Sequence, residues 1–244
     1  MCIAGGRIDS RAQTSLGKIE DPRTTQMKQV GAHEHLFYEG DDRTCIYVVE
    51  SGWVKLYRTL IDGQRQVVGF ANAGSILGLE CDETHANGCE TITPVTVRSI
   101  SGNSLRAICQ REPQLAEQLL RQVGRQLGAA QTQLAAVGAQ SAEQKLATFL
   151  LSVADLCEAT HGGEFDLPMR RGDMAEFLGL RLETVSRKMT EFQRRGWIQM
   201  TSLYHCRIAH RHMLQELAEG GDSEDAMLAP IPSGARSTTA GLAA

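Results

Sequence analysis

Two textures of apolar residues divide this chain. From Gly31 to Ser101 they come in short runs broken by glycine, as in Val67-Val68-Gly69-Phe70, Ile76-Leu77-Gly78-Leu79 and Val95-Thr96-Val97. Runs of that length, bounded by turn residues, predict strands. Asp62-Gly63 stands between Lys55-Leu56-Tyr57 and Gln66-Val67-Val68, which predicts a hairpin. Short strands at this spacing predict a small barrel or jelly roll.

The period then lengthens. Pro113 suits the first turn of a helix. After it, Leu115, Leu119, Val123, Leu127, Leu134 and Val137 recur at spacings of three or four, or sums of the two. A long helix with a narrow apolar seam predicts a dimer interface. The same stripe would also serve packing on the chain's own barrel. Ser141 followed by Gln144 has the form of a capping box and predicts a new helix. Leu146, Phe149, Leu150 and Val153 give its buried face, and Gly162-Gly163 is its expected end.

Arg171–Arg195 carries the most information. Met174, Ala175, Phe177 and Leu178 form one apolar helical face. Gly179 follows, and Leu182, Val185, Met189 and Phe192 form a second face. A helix-turn-helix needs a small residue where its helices touch, a glycine able to take positive φ in the turn, and an apolar anchor on the second helix. Ala175, Gly179 and Val185 meet those needs at the right spacing. The opposite side of the second helix, around Leu182–Arg194, carries Glu183, Ser186, Arg187 and Gln193. Arginine can donate two hydrogen bonds to guanine, and glutamate can accept from the cytosine amino group. Trp197-Ile198 and Cys206-Arg207-Ile208 read as two strands beside it, which predicts a winged motif.

Charge sharpens this reading. The 244-residue chain is formally −4, yet Met169–His212 holds nine Lys/Arg against four Asp/Glu. A local excess of cations is what phosphate contact requires. Arg170 and Arg181 occupy helix-start positions where Ser, Thr or Asp is usual. Together with Lys188 and Arg194 they are candidate phosphate contacts. Seven cysteines contain no Cys-x-x-Cys pair, so most are expected to be reduced, partly buried thiols. No apolar run reaches membrane-spanning length and no signal-peptide core is evident, so a cytoplasmic protein is expected. Residues 1–26 read as a flexible arm and 221–244 as a disordered tail.

The chain resembles the CRP/FNR superfamily, and most of all its FixK/FNR branch, from about Gly31 to Ala218. The segments that carry this are Leu36–Asp41, Tyr47–Gly52, Leu56-Tyr57-Arg58 with Asp62–Gln66, and Gly74–Leu79. Leu167-Pro168-Met169, Asp173–Leu180 and Glu183-Thr184-Val185-Ser186-Arg187 complete the set. The resemblance implies an α+β chain: an N-terminal β-roll over 27–110, a dimerisation helix within 111–140 and a winged helix-turn-helix over 141–220. It implies a homodimer on double-stranded DNA that activates transcription through RNA polymerase. In FNR-like members a Glu-x-x-Ser-Arg set reads a TTGA-type half-site. Glu183, Ser186 and Arg187 occupy it here, so TTGAT-N4-ATCAA is the implied target. Low-oxygen metabolism, denitrification and nitrogen fixation follow from the branch alone.

The signals used elsewhere in the superfamily fit poorly. Cyclic-AMP binders place a glutamate after a glycine, and an Arg-Ser pair further on. Here Leu79 follows Gly78, and His85–Glu90 offers no cation for a cyclic phosphate. Oxygen sensors of the family need four cysteines for an iron–sulfur cluster. Here the arm has only Cys2, and the central position is Arg98. No cofactor, metal or catalysis is therefore expected, and the FixK type, regulated by its abundance, remains. A thiol switch at Cys45, Cys81 or Cys89 is the alternative. His33-x-His35-x-x-x-Glu39 has cupin-like ligand spacing, which would make an enzyme. His205, Cys206, His210 and His212 could bind zinc by residue type. The last residues, Ala240-Gly241-Leu242-Ala243-Ala244, resemble tags read by Clp-type proteases.

Overall fold

A computed structural model describes residues 25–80, 82–137, 140–157, 163–202 and 204–220, without the side chains of 125, 129 and 132–137. Eight strands come first: β1 (Thr25–Val30), β2 (His35–Phe37), β3 (Cys45–Ser51), β4 (Trp53–Thr59), β5 (Arg65–Asn72), β6 (Ile76–Leu77), β7 (Gly88–Thr91) and β8 (Val95–Ser101). They form two four-stranded antiparallel sheets, in the orders β1-β8-β3-β6 and β2-β7-β4-β5. This is the expected β-roll. The β4–β5 hairpin turns at Gly63, where φ is 81°, and Leu60 and Gln64 close the loop by a 2.8 Å backbone bond.

Alternation along the strands gives each sheet two jobs, because successive side chains point to opposite faces. Val49, Val54, Ala71, Leu77, Val95 and Val97 point inward and form the core of the roll. Ile46, Val48, Ile76 and Ile100 point out of the first sheet and carry the helices that follow. Those helices are α1 (Gly102–Arg111) and α2 (Pro113–Val137). The sequence reading did not anticipate α1. Its first turn begins with the poor helix formers Gly102 and Asn103, but Ser101 caps it by accepting from Ser104 N–H at 3.2 Å.

The stripe along α2 divides. Leu115 and Leu119 are buried on the outer face of the first sheet, so they belong to the chain's own core rather than to a dimer seam. Leu120, Val123 and Leu127 are 72%, 41% and 59% exposed. The Leu134 and Val137 side chains lie outside the described residues.

The C-terminal domain runs α3 (Ala142–Leu156), β9 (Glu164–Asp166), α4 (Arg171–Leu178), α5 (Leu182–Arg194), β10 (Ile198–Met200), β11 (His205–Ile208) and α6 (Arg211–Ala218). The capping box forms as expected: Gln144 Oε1 accepts from Ser141 N–H at 2.8 Å, and Ser141 Oγ accepts from Gln144 N–H at 3.3 Å. The helix does not run on to the glycine pair. It ends at Leu156 with Cys157 as its cap, once the buried face that closes with Val153 and Ala154 is spent. The predicted wing strands pair as β10 and β11, and β9 adds a third strand on the other side of β11.

The outer face of the second sheet joins the two domains. Trp53, Val67, Phe70 and Ile92 of the roll share one continuous core with α3 to α6. At its centre Phe149 of α3 lies 5.9 Å from Phe70 and 5.6 Å from Phe177, measured between ring centroids. Lys55 projects from the same face. Its Nζ sits 2.7 Å from Asp173 Oδ1 and 3.3 Å from Glu90 Oε1. Burial works against the Lys55 charge, but these two carboxylates outweigh it and leave the ammonium pKa raised.

Because Phe149 is fully buried and touches both domains, Phe149→Ala should lower unfolding stability by about 3–5 kcal/mol in urea titrations. A loss below about 1 kcal/mol would show that the shared core is not formed.

Candidate nucleic-acid interface

The interface is built on two helix starts and one turn. At the start of α4, Asp173 supplies what Arg170 cannot: its Oδ2 accepts from the Arg170 backbone N–H at 3.0 Å. Its other oxygen holds Lys55, so one carboxylate fixes the helix start to the β-roll. At the start of α5, Arg181 makes no side-chain cap, and Glu183 is the acidic residue that complements the helix dipole. Between the helices Gly179 takes φ 63° and ψ 40°, and the next N–H, from Leu180, bonds to Ala175 C=O at 3.0 Å. That left-handed backbone disfavours any residue with a Cβ.

Helix α5 is divided lengthwise. Val185, Met189 and Phe192 are at most 1% exposed. On the opposite side Glu183, Arg187, Thr190, Gln193 and Arg194 are exposed, with Ser186 half-buried among them. Glu183, Ser186 and Arg187 thus share one accessible face, as the sequence predicts. Among the described residues, neither Glu183 nor Arg187 has an ion-pair partner, so both can bond outward. Thr190, which the sequence reading passed over, continues this face. It lies one turn beyond Ser186, and its hydroxyl donates to the Ser186 carbonyl at 3.0 Å.

The four candidate phosphate contacts do not share one environment. Arg181 and Arg194 are exposed beside this face. Lys188 is instead drawn down between Glu143 of α3 and Glu191, the latter at 2.9 Å. Burial lowers the Lys188 pKa, but hydrogen bonds to the two carboxylates outweigh it and hold the ammonium charged within the domain. It is a brace between α3 and α5, and its charge is already compensated. Arg170 turns toward the β-roll, with Nη2 2.9 Å from His33 Nε2.

The other clusters singled out by sequence are dispersed. His33 faces Arg170, His35 stacks on Tyr38 at 4.5 Å, and Glu39 accepts from Thr59 N–H at 2.8 Å. His205 pairs with Asp166 at 2.8 Å, Cys206 is fully buried, and His210 and His212 meet only edge to face. Among the described residues no three His, Cys, Asp or Glu side chains could hold a metal together. Arg98 bridges from β8 to Glu50 on β3. Burial pushes the Cys89 thiol pKa far above its ordinary range, and that of Cys206 up to about 12 despite nearby Arg171. Cys2, Cys81 and the Leu242-Ala243-Ala244 tail lie outside the described residues, and the protease-tag reading finds no support among the chain's relatives. No helix among the described residues is long and apolar enough to cross a membrane.

A β-roll bearing a long helix and a winged helix-turn-helix is the architecture of a ligand-sensor-type DNA-binding regulator. A cyclic nucleotide-binding domain model matches residues 27–112, and a Crp-like helix-turn-helix domain model matches 144–217. The nitrogen fixation regulation protein FixK of Bradyrhizobium diazoefficiens is 36% identical over 167 residues, 68% of this chain and 70% of that protein. The transcriptional activatory protein AadR of Rhodopseudomonas palustris is 36% identical over 178 residues, 72% of this chain and 74% of that one. The structure of FixK2 from Bradyrhizobium japonicum superposes with a TM-score of 0.74 at 28% identity, covering 79% of this chain and 96% of that one. The chain belongs to the CRP/FNR family of DNA-binding transcription regulators, with FixK-like relatives, and this family consists of regulators rather than enzymes.

Two measurements check the local geometry. A Cβ at Gly179 would meet no atom within 4 Å, so Gly179→Ala tests backbone strain alone and should cost about 1–2 kcal/mol of stability. An unchanged midpoint would contradict the left-handed turn. In native protein at pH 8, Cys89 and Cys206 should resist iodoacetamide and become labelled only in denaturant, as read by peptide mass mapping; native labelling of either would contradict its burial.

Proposed function

We propose that the chain acts as a homodimeric activator that binds TTGAT-N4-ATCAA-like inverted repeats and contacts RNA polymerase. Each half-site lies in the major groove under the start of α5, with Glu183, Ser186 and Arg187 reading base edges. Arg181 and Arg194 steady the helix on phosphates. The observation that carries this reading is the accessible Glu183–Ser186–Arg187 face, whose charged members have no ion-pair partner among the described residues. The FixK relatives, named for nitrogen fixation regulation, support a role in nitrogen and low-oxygen metabolism. Ligand-free protein binds its site, and control lies mainly in how much of it is present.

The exposed Leu120, Val123 and Leu127 support the dimer, because apolar residues in a row on a long helix ask for a second helix. Leu134 and Val137 extend that row in sequence. Two protomers related by a two-fold axis would place their α5 helices about one helical turn of DNA apart, as an inverted repeat demands.

Arg187→Ala should weaken binding to the intact site by about 1–3 kcal/mol and blur discrimination at one base pair, read by fluorescence anisotropy on single-base variants. Equal loss on every sequence would reduce Arg187 to a phosphate contact. Arg181→Gln and Arg194→Gln should each lower the salt slope of binding by about one without altering base preference. Val123→Glu with Leu127→Glu should give monomers in analytical ultracentrifugation while leaving the circular-dichroism spectrum unchanged; a persistent dimer would move the interface elsewhere.

A further inference from the structure

A cavity of about 430 Å³ opens at the seam between the β-roll and the DNA-binding domain. No residue of α5 lines it. Trp53 and Ile92 form its apolar wall on the roll side, and Pro168 and Tyr204 face them from the other domain. A cleft of this size between domains can take a small organic molecule.

Among its lining residues Arg170 is the one permanent cation. Asp166 and His205 both line the cavity, but they pair with each other at 2.8 Å. Arg170 is exposed, and among the described residues no carboxylate approaches its guanidinium. Its side-chain neighbour is His33, at 2.9 Å. A guanidinium only donates, so His33 Nε2 accepts. That contact takes one donor of the fork and leaves others to spare for an anion.

The backbone adds an independent sign. Among the described residues His33 alone, apart from glycines, has positive φ, at 63°. Thr91, fully buried, enforces it: Thr91 C=O accepts from His33 N–H at 2.9 Å, and its hydroxyl donates to Gly31 C=O at 2.6 Å while accepting from Glu34 N–H at 2.9 Å. This left-handed turn, held by several bonds, fixes His33 at the wall of the cavity.

We propose that this cleft binds a small carboxylate with an apolar body, of the arylalkanoate class. The carboxylate takes the donors of Arg170, and the body lies against Trp53 and Ile92. Because the ligand touches both domains, its binding shifts their seating and changes DNA affinity by linkage. The site goes beyond the function proposed above, and its first readout is made without DNA.

The probe pair is phenylacetate and its neutral amide, titrated into the full chain by calorimetry and followed by tryptophan fluorescence. Phenylacetate should bind saturably, and the amide about tenfold or more weakly, for loss of a charge-assisted bond. Arg170→Gln should weaken phenylacetate by about tenfold or more, and His33→Gly should weaken it severalfold without lowering the unfolding midpoint. Arg181→Gln, which weakens DNA contact, should bind phenylacetate as the parent does. Equal binding of acid and amide, full binding by Arg170→Gln, or no saturation up to about 10 mM would each overturn the proposal. In the DNA arm, saturating phenylacetate should change the affinity for the specific duplex by the factor by which that duplex changes phenylacetate affinity. Binding without any such change would overturn the link to DNA while leaving the site.

Discussion

Val185, Met189 and Phe192 are withdrawn from solvent along one side of α5, and that burial sets the rotation of the helix about its own axis. Each such side chain contributes about 1.5–3 kcal/mol by leaving water. A roll of the helix by a third of a turn would expose them and turn inward Glu183 and Arg187, which have no ion-pair partner among the described residues. Apolar anchoring and polar presentation are therefore one constraint. Phe192 also packs against Trp197, with ring centroids 5.4 Å apart and the rings tilted, which ties the end of the helix to the wing. Lys188, held by Glu143 and Glu191, resists the same rotation from the flank.

A second constraint joins the domains. The roll places Trp53, Lys55 and Phe70 on the outer face of its second sheet, and α4 seats on that face through Phe177 and Asp173. The first helix of the DNA-binding motif thus rests on the sensor-like domain through both an apolar cluster and a buried ion pair. Removing Lys55 alone would leave Asp173 without its cation, while Glu90 would keep Arg65 at 3.2 Å, and stranding the Asp173 charge is more costly than losing the pair together. Gly179 and Ala175 connect the two helices within one turn, so the seating of α4 on the roll also positions α5.

Much of this was legible in the sequence, for definable reasons. The two helices of the DNA-binding motif each show an unbroken period, and Gly179 stands between them. The capping box of α3 is local, so Ser141 and Gln144 predict it unaided. Short or long-range features were hidden. Strand β9 is three residues long with one buried side chain, Phe165, too little to make a pattern. Lys188 finds Glu143 across 45 residues and Arg170 finds His33 across 137, so neither redirection has a sequence signal. In α2 the stripe was visible but its partner was not: Leu115 and Leu119 obey the same period as Val123 and Leu127, and only the position of the roll assigns the first two to the chain's own core.

The account rests on the claim that α5 reads a specific inverted repeat without an added effector. A random-sequence selection with the purified, ligand-free full chain tests it most directly. The account predicts enrichment of TTGAT-N4-ATCAA, with both half-sites conserved and a fixed spacing. Enrichment of a different half-site would contradict the base-reading role of Glu183, Ser186 and Arg187. Failure to enrich any sequence would contradict effector-independent binding itself.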